Sequence, residues 1–313
     1  MQEFFNRVYY WIKPSLPRSW LLGARRLRIK KELKEVADRW PIDERAAARP
    51  EAWPGWPDQK QFALILTHDV ESARGLPRVL ELAKIEKEMG FRSAFNFVAQ
   101  DYPVDPGLIR NLKDQGFEVG VHGLHHRGNL FHSRKHFMEQ VPQINHTLRK
   151  WEASGFRAPS MYHNLDWIGH LDIEYDMSPF DTDPFEPQPD GVGTIFPFWC
   201  SANVHPGYVE LPYTLPQDHT LFILIGEKSI AIWKKKLDWI VENEGMVLLI
   251  THPDYMNDGK GRCGMSEYPM ELYIEFLEYV QNKYKTRYWN PLPREIAGFW
   301  KDSLRQNMGG KKL

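Results

Sequence analysis

Only two of the 313 residues are cysteine, Cys200 and Cys263, and they form no CxxC pair. That excludes a disulfide-stapled scaffold and a cysteine-ligated zinc ribbon. No run approaches the ~18 apolar residues of a membrane span. The opening MQEFFNRVYYWIKPSLPRSW lacks an apolar signal core followed by small residues, so the chain as given is expected to be cytoplasmic. Neither sign of charge is in excess: 40 Lys and Arg stand against 41 Asp and Glu, for a formal net charge of −1. A nucleic-acid partner bound through phosphate neutralisation is therefore not expected. What remains is an ordinary globular composition, 42% hydrophobic and 26% charged, with room for one large domain or two ordinary ones.

Two regions are expected. Residues 1–60 read as a helical extension and linker. SWLLGARRLRIKKELKEVADRW is helical with a basic first half, and PIDERAAARPEAWPGWPDQ is a Pro- and Ala-rich arm. The basic, Trp-bearing start allows a peripheral membrane contact. Pro14 and Pro17 interrupt any long amphipathic face and favour a helix packed on the main domain. From 61 to 313 the pattern alternates strand and helix. FALILTHDV, FRSAFNFVA, FEVGVHG, a strand starting at FRAP, and MVLLITHPDY are separated by amphipathic helices, two of them closed by Gly90 and Gly116. Such alternation predicts a parallel α/β sheet or barrel. FEPQPDGVGTIFPFW and VELPYTLPQDHTLF read as long ordered loops over its rim, and YWNPLPREIAGFWKDS as a final amphipathic helix.

Chemistry concentrates where the strands end. In LTHDVE the alternation of a strand puts Thr67, Asp69 and Glu71 on one face and His68 and Val70 on the other, so two carboxylates project together. VGVHGLHHRGN places His122, His125 and His126 within five residues at another strand end. His122 and His126, four apart, can reach one metal from a single turn, and His122 with His125 is the competing pair. Position 123 is Gly, so this is not an HExxH helix. Two imidazoles and a carboxylate make a facial ligand set with open positions, suited to Zn²⁺ or a non-haem Fe²⁺. His252, after the apolar strand MVLLIT, is a candidate general acid. Arg157 in GFRAP can hold a carboxylate in place and ionised. A metal, a base, an acid and an Arg clamp together describe metal-assisted hydrolysis.

In order and spacing, THDVE, HGLHH, RAP, YDMS and LITH resemble the polysaccharide deacetylases, the NodB-homology or carbohydrate esterase family 4 group, over roughly residues 61–285. The resemblance implies a distorted (β/α) barrel of about seven parallel strands and an enzyme that removes acetyl groups from N-acetylated sugars with a divalent metal, Zn²⁺ first, with Co²⁺, Ni²⁺ or Fe²⁺ as alternatives. By position, Asp69 is the implied base, Arg157 its brace, His252 the acid, and Glu71, His122 and His126 the ligands. Tyr162 and Asp176 are implied at the substrate or behind the catalytic groups. Val70 stands where the family has a second Asp, Gly123 replaces Ser or Thr, and Ser160–Met161–Tyr162 replaces Tyr-Gly. The implied partner is a carbohydrate, and the absence of a signal core in the opening residues makes the expected one a precursor in bacterial surface polysaccharide synthesis. A metal-dependent amidase on a small non-sugar amide, or a non-catalytic carbohydrate-binding relative, are the competing readings.

Overall fold

Strand β1, Phe62–Val70, is buried at all nine positions. A nearly continuous apolar run of this kind belongs to a strand covered on both faces, as in a parallel sheet wrapped by helices. The structure, a computed structural model, describes residues 18–51, 53–186, 188, 190–201 and 207–307. β1 lies at its centre. On one side it pairs in parallel with β8 (Met246–Thr251) from Ala63 to His68. On the other it pairs first with the short β9 (Tyr288–Trp289) and then, from Leu66 to Val70, with β2 (Ser93–Phe97).

The sheet continues in parallel through β3 (Glu118–Val121), β4 (Gly155–Phe156), β5 (Tyr175–Asp176) and β7 (Tyr208–Glu210), and ends on the antiparallel β6 (Phe198–Cys200). Beyond β7 the chain crosses back to β8. Thr214 N–H donates to the Leu248 carbonyl at 3.1 Å, and Leu248 N–H donates to Thr214 Oγ1 at 2.9 Å. The sheet thus curls toward closure as a distorted barrel in which β1–β5, β7 and β8 are the seven parallel staves, as expected.

The wrapping helices are α2 (Leu76–Glu88), α3 (Pro106–Asp114), α4 (Arg134–Trp151), α5 (Leu165–Ile168), α6 (Ala231–Glu242), α7 (Glu271–Tyr284) and α8 (Pro293–Asn307). Local chemistry sets several boundaries. Asp105 and Ser133 cap α3 and α4 by accepting from Gly107 N–H and His136 N–H. Gly90 and Gly116, at φ +76° and +89°, turn the chain out of α2 and α3. Ahead of the barrel, α1 (Arg18–Glu35) contributes Ile29 to the same buried apolar cluster as the strands, and Val36, Trp40, Ala46 and Trp56 follow it there.

The rim segments depart from expectation. The stretches expected to be loops contain β6, β7 and a π-helix, His219–Ile225. Pro212 and Pro216 mask the last of these in sequence, although Thr220–Leu224 are all buried. Among the described residues no helix is long and apolar enough to cross a membrane.

Candidate active site

The alternation along β1 divides its polar residues as expected. His68 faces the helices, with Nε2 2.6 Å from Glu86 Oε1 on α2 and Nδ1 2.7 Å from Thr251 Oγ1. Thr67 and Asp69 face the other way. Arg157 Nη1 donates to Thr67 Oγ1 and to Asp69 Oδ1, both at 2.9 Å, while Arg157 Nε donates to the Met177 carbonyl at 2.9 Å. Asn96, beside Asp69 on β2, donates to the same Oδ1 at 2.8 Å. Asp69 is buried, and burial alone would raise its pKa. The Arg157 guanidinium overrides that and, with smaller help from His122 and His252, holds the carboxyl at about 2. Its Oδ2 is buried and makes no hydrogen bond to the described residues.

Glu71, just past β1, gathers the histidines. Its Oε1 lies 3.2 Å from His126 Nε2 and 3.6 Å from His252 Nε2, and its Oε2 accepts from the Tyr255 hydroxyl. Asp254 Oδ2 accepts from Glu71 N–H at 2.9 Å and fixes the turn. Although burial opposes ionisation, His126 and His252 hold Glu71 well below the usual carboxylate range. His122 points its Nδ1 at the Arg157 carbonyl, 3.1 Å away, which sets the tautomer and leaves Nε2 free to ligate. Burial pulls its pKa down to about 4. For His126, burial also works against protonation, but the Glu71 carboxylate outweighs it and the pKa rises. His125 turns away instead, its Nδ1 2.7 Å from Asp101 Oδ1, and Asp101 Oδ2 accepts from His126 N–H.

Among the described residues, one group of His, Cys, Asp or Glu brings three ligand atoms within 4.8 Å of one another: Glu71, His122 and His126. The donor set of two imidazoles and one carboxylate fits a divalent cation with open positions. Asp69 lies outside that group, with a buried oxygen unspent. On the far side, His252 Nδ1 is 2.6 Å from Asp218 Oδ1, and His252 N–H donates to Asp218 Oδ2 at 2.7 Å. Burial would lower the pKa of His252; Asp218, with Glu71 and Asp69, lifts it to about 10.

No protein-family profile matches the chain, and no curated protein does. Solved structures do. A putative polysaccharide deacetylase from Mycobacterium smegmatis superposes with TM-score 0.61 at 18% identity, over 82% of this chain and 96% of that one. A probable polysaccharide deacetylase from Pseudomonas aeruginosa PAO1 gives 0.63 at 16% identity, over 84% and 98%. The Puue allantoinase gives 0.61 at 16% identity, also over 84% and 98%. This is the NodB-like polysaccharide-deacetylase fold.

Within that fold the departures in sequence have physical reasons. Val70 faces away from the carboxylates, with its Cγ1 where a Cβ on Gly75 would touch it at 3.1 Å. Gly123 has φ +69°, and a Cβ on it would lie 2.5 Å from Pro159 Cγ, so the ring of RAP closes over the histidine turn and leaves no room for Ser or Thr. After Pro159, Ser160 and Met161 both adopt positive φ, +58° and +56°, a strained turn at the rim that leads into the half-buried Tyr162.

Asp176 is fully buried behind the site. Its carboxylate accepts from the Ser178 hydroxyl and N–H at 2.8 and 2.9 Å, and Ser178 Oγ in turn accepts from Ala158 N–H at 2.8 Å, bracing the residue after Arg157. Its neighbour across the strands is Glu210, also fully buried. Burial raises both carboxyls, and their proximity raises Glu210 further.

Asp218, Asn96, Tyr255 and Asp254 were not among the expected site residues. Asn96 carries a signal, a lone amide inside the apolar run SAFNF, one strand over from Asp69. Asp218 carries none, because its role depends on the crossing from β7 to β8.

Proposed function

We propose that the protein is a metal-dependent hydrolase that removes the acetyl group from an N-acetylated sugar. The observation that carries this reading is the grouping of Glu71, His122 and His126 around one point, with an anionic Asp69 and a cationic His252 beside it. A divalent cation held by those three residues, zinc foremost, would supply Lewis-acid polarisation of the acetyl carbonyl and acidify water. Asp69 accepts the proton of the attacking water at Oδ2, since Oδ1 is already engaged by Arg157 and Asn96. The water oxygen joins the acetyl carbon and the C–N bond breaks. His252 delivers the proton on Nε2 to the departing nitrogen, giving acetate and a free amine. Asp218 holds His252 at Nδ1, so Nε2 is the nitrogen that faces Glu71 and the site. Backbone N–H groups along Ser160–Tyr162 are proposed to steady the oxyanion, and Asp176 to brace Ala158 through Ser178.

The proposed substrate is a lipid- or nucleotide-linked precursor of surface polysaccharide, handled in the cytoplasm. A second reading, hydrolysis of a small non-sugar amide, has one observation in its favour: an allantoinase superposes with the same TM-score as one of the deacetylases.

The test is acetate release from N-acetylated sugar precursors and polymers, and ureide hydrolysis, by protein stripped of metal and then reloaded with Zn²⁺. Acetate release that follows metal content supports the first reading. Ureide turnover without acetate release supports the second. Fully loaded protein inert on both would leave a binding protein.

A further inference from the structure

Helix α1 has two unlike faces. Inward, Ile29 is buried and Leu22 and Leu33 pack against the barrel core. Arg26 ties the helix down, its Nε donating to the Ile223 carbonyl of the π-helix at 2.8 Å and its Nη2 to the Met265 carbonyl at 3.1 Å. Outward, Trp20 is 75% exposed and Leu27 72%. Seven residues apart, they lie almost in line along the helix. Exposed Lys30, Lys31 and Lys34 stand around them. Four large apolar side chains are exposed among the described residues; two are these, and a third is Met265, whose carbonyl holds Arg26.

Charge is as uneven as polarity. By sequence the helix carries seven arginines and lysines against only two glutamates, Glu32 and Glu35, in a chain of net charge −1. The two glutamates lie along one side, paired with Arg28 at 2.6 Å and, loosely, with Lys31 at 4.0 Å. The preceding MQEFFNRVYYWIKPSLP, outside the described residues, adds Phe4, Phe5, Tyr9, Tyr10 and Trp11 together with Arg7 and Lys13 against one acid, Glu3.

We propose that the outer face of α1 docks the protein on the anionic surface of a lipid bilayer, with Trp20 and Leu27 entering the headgroup layer and the lysines facing acidic lipid. Trp favours that layer because its ring is apolar and its N–H polar. Cations flanking an apolar stripe mark helices that lie on, rather than across, a membrane. Among the described residues this exposed apolar pair sits inside a cationic field, and it is the cations that make the face complementary to an anionic interface over a neutral one. The placement has a consequence for the site. α1 rests on the π-helix, and the residue that caps that helix, Asp218, holds His252. A protein docked through α1 therefore keeps its catalytic groups one element away from the lipid surface.

The test is cosedimentation of the full chain with vesicles of phosphatidylcholine alone or mixed with phosphatidylglycerol. Its readout is independent of hydrolysis, so it can fail without touching the proposed activity. Binding is expected only with the acidic lipid and is expected to weaken as salt is raised. Lys30→Gln, Lys31→Gln and Lys34→Gln together should weaken binding about a hundredfold, from roughly fivefold per cation near acidic headgroups. Trp20→Ser with Leu27→Ser should also weaken it, with the thermal melt unchanged because both side chains already face solvent. Equal binding to neutral vesicles, no binding to acidic ones, or affinity unmoved by both variants overturns the proposal. So does a self-association lost in Trp20→Ser with Leu27→Ser and without vesicle binding, which would give the face to a second copy of the chain.

Discussion

Each histidine of the cluster has a different partner, and the partners set the predictions. His122→Ala or His126→Ala removes one of the three proposed ligands, so zinc content measured after gel filtration of zinc-loaded protein should collapse. The loss should exceed the roughly 10- to 100-fold in affinity that follows removal of a merely supporting residue. His125→Ala should keep its metal, because that ring is engaged by Asp101. The two carboxylates divide in the same way. Asp69→Asn should keep metal and lose about 10²–10⁴ in turnover. Glu71→Ala should lose metal, with activity partly restored by excess Zn²⁺. Metal retained in Glu71→Ala but lost from Asp69→Asn would reverse the roles. His252→Ala should keep metal with a similar fall in turnover. Asp218→Asn removes the anion that raises the His252 pKa. The alkaline limb of the pH–rate profile should therefore move to lower pH, and an unmoved limb would show that Asp218 does not tune the proposed acid.

Among the elements, the turn after β3 is the most constrained. Gly123→Ser would restore the residue type of the resembled family, yet it adds a Cβ against Pro159 at a positive φ. It should lower stability by about 1–3 kcal/mol, seen as a fall in Tm, together with weaker metal retention because His122 sits beside it. The pair between Lys236 on α6 and Asp181 after β5, 2.6 Å apart and buried on both sides, is a second such point. Lys236→Met leaves Asp181 buried without its cation and should cost about 3–5 kcal/mol, measured by denaturant unfolding.

Across the whole molecule, Glu118 pins barrel to tail. Its carboxylate accepts from the Tyr175 hydroxyl on β5 at 2.8 Å and from Arg294 N–H in the first turn of α8 at 3.1 Å. Burial nevertheless raises its pKa to about 7 from an ordinary 4.5. The folded state therefore holds a proton that the unfolded chain has released between those values. The stabilisation from this group is full below about 4.5 and is lost as pH rises to about 7, at most ~3 kcal/mol from the linkage of pKa to stability. Stability curves of the native chain and of Glu118→Gln should differ in slope across that window. Parallel curves would show that the carboxyl titrates alike in both states.

The barrel was legible in the chain because an apolar strand followed by a glycine-stopped amphipathic helix has few other ways to bury its surface. The alternation of β1 likewise determined that Asp69 and Glu71 share a face, and the four-residue spacing of His122 and His126 kept them as a pair. Other choices depend on residues distant in sequence. His126 rather than His125 joins His122 because Asp101, 24 residues before His125, takes His125. Asp69 keeps an oxygen unspent because Arg157, 88 residues on, and Asn96 both bind the other one. His252 stays protonated because the closing crossover from β7 to β8 brings Asp218 beneath it, 34 residues away along the chain. Local pattern decides which faces are apolar and which side chains project together. The protonation state and engagement of each projecting group are decided by charges and hydrogen bonds that meet only when the sheet curls.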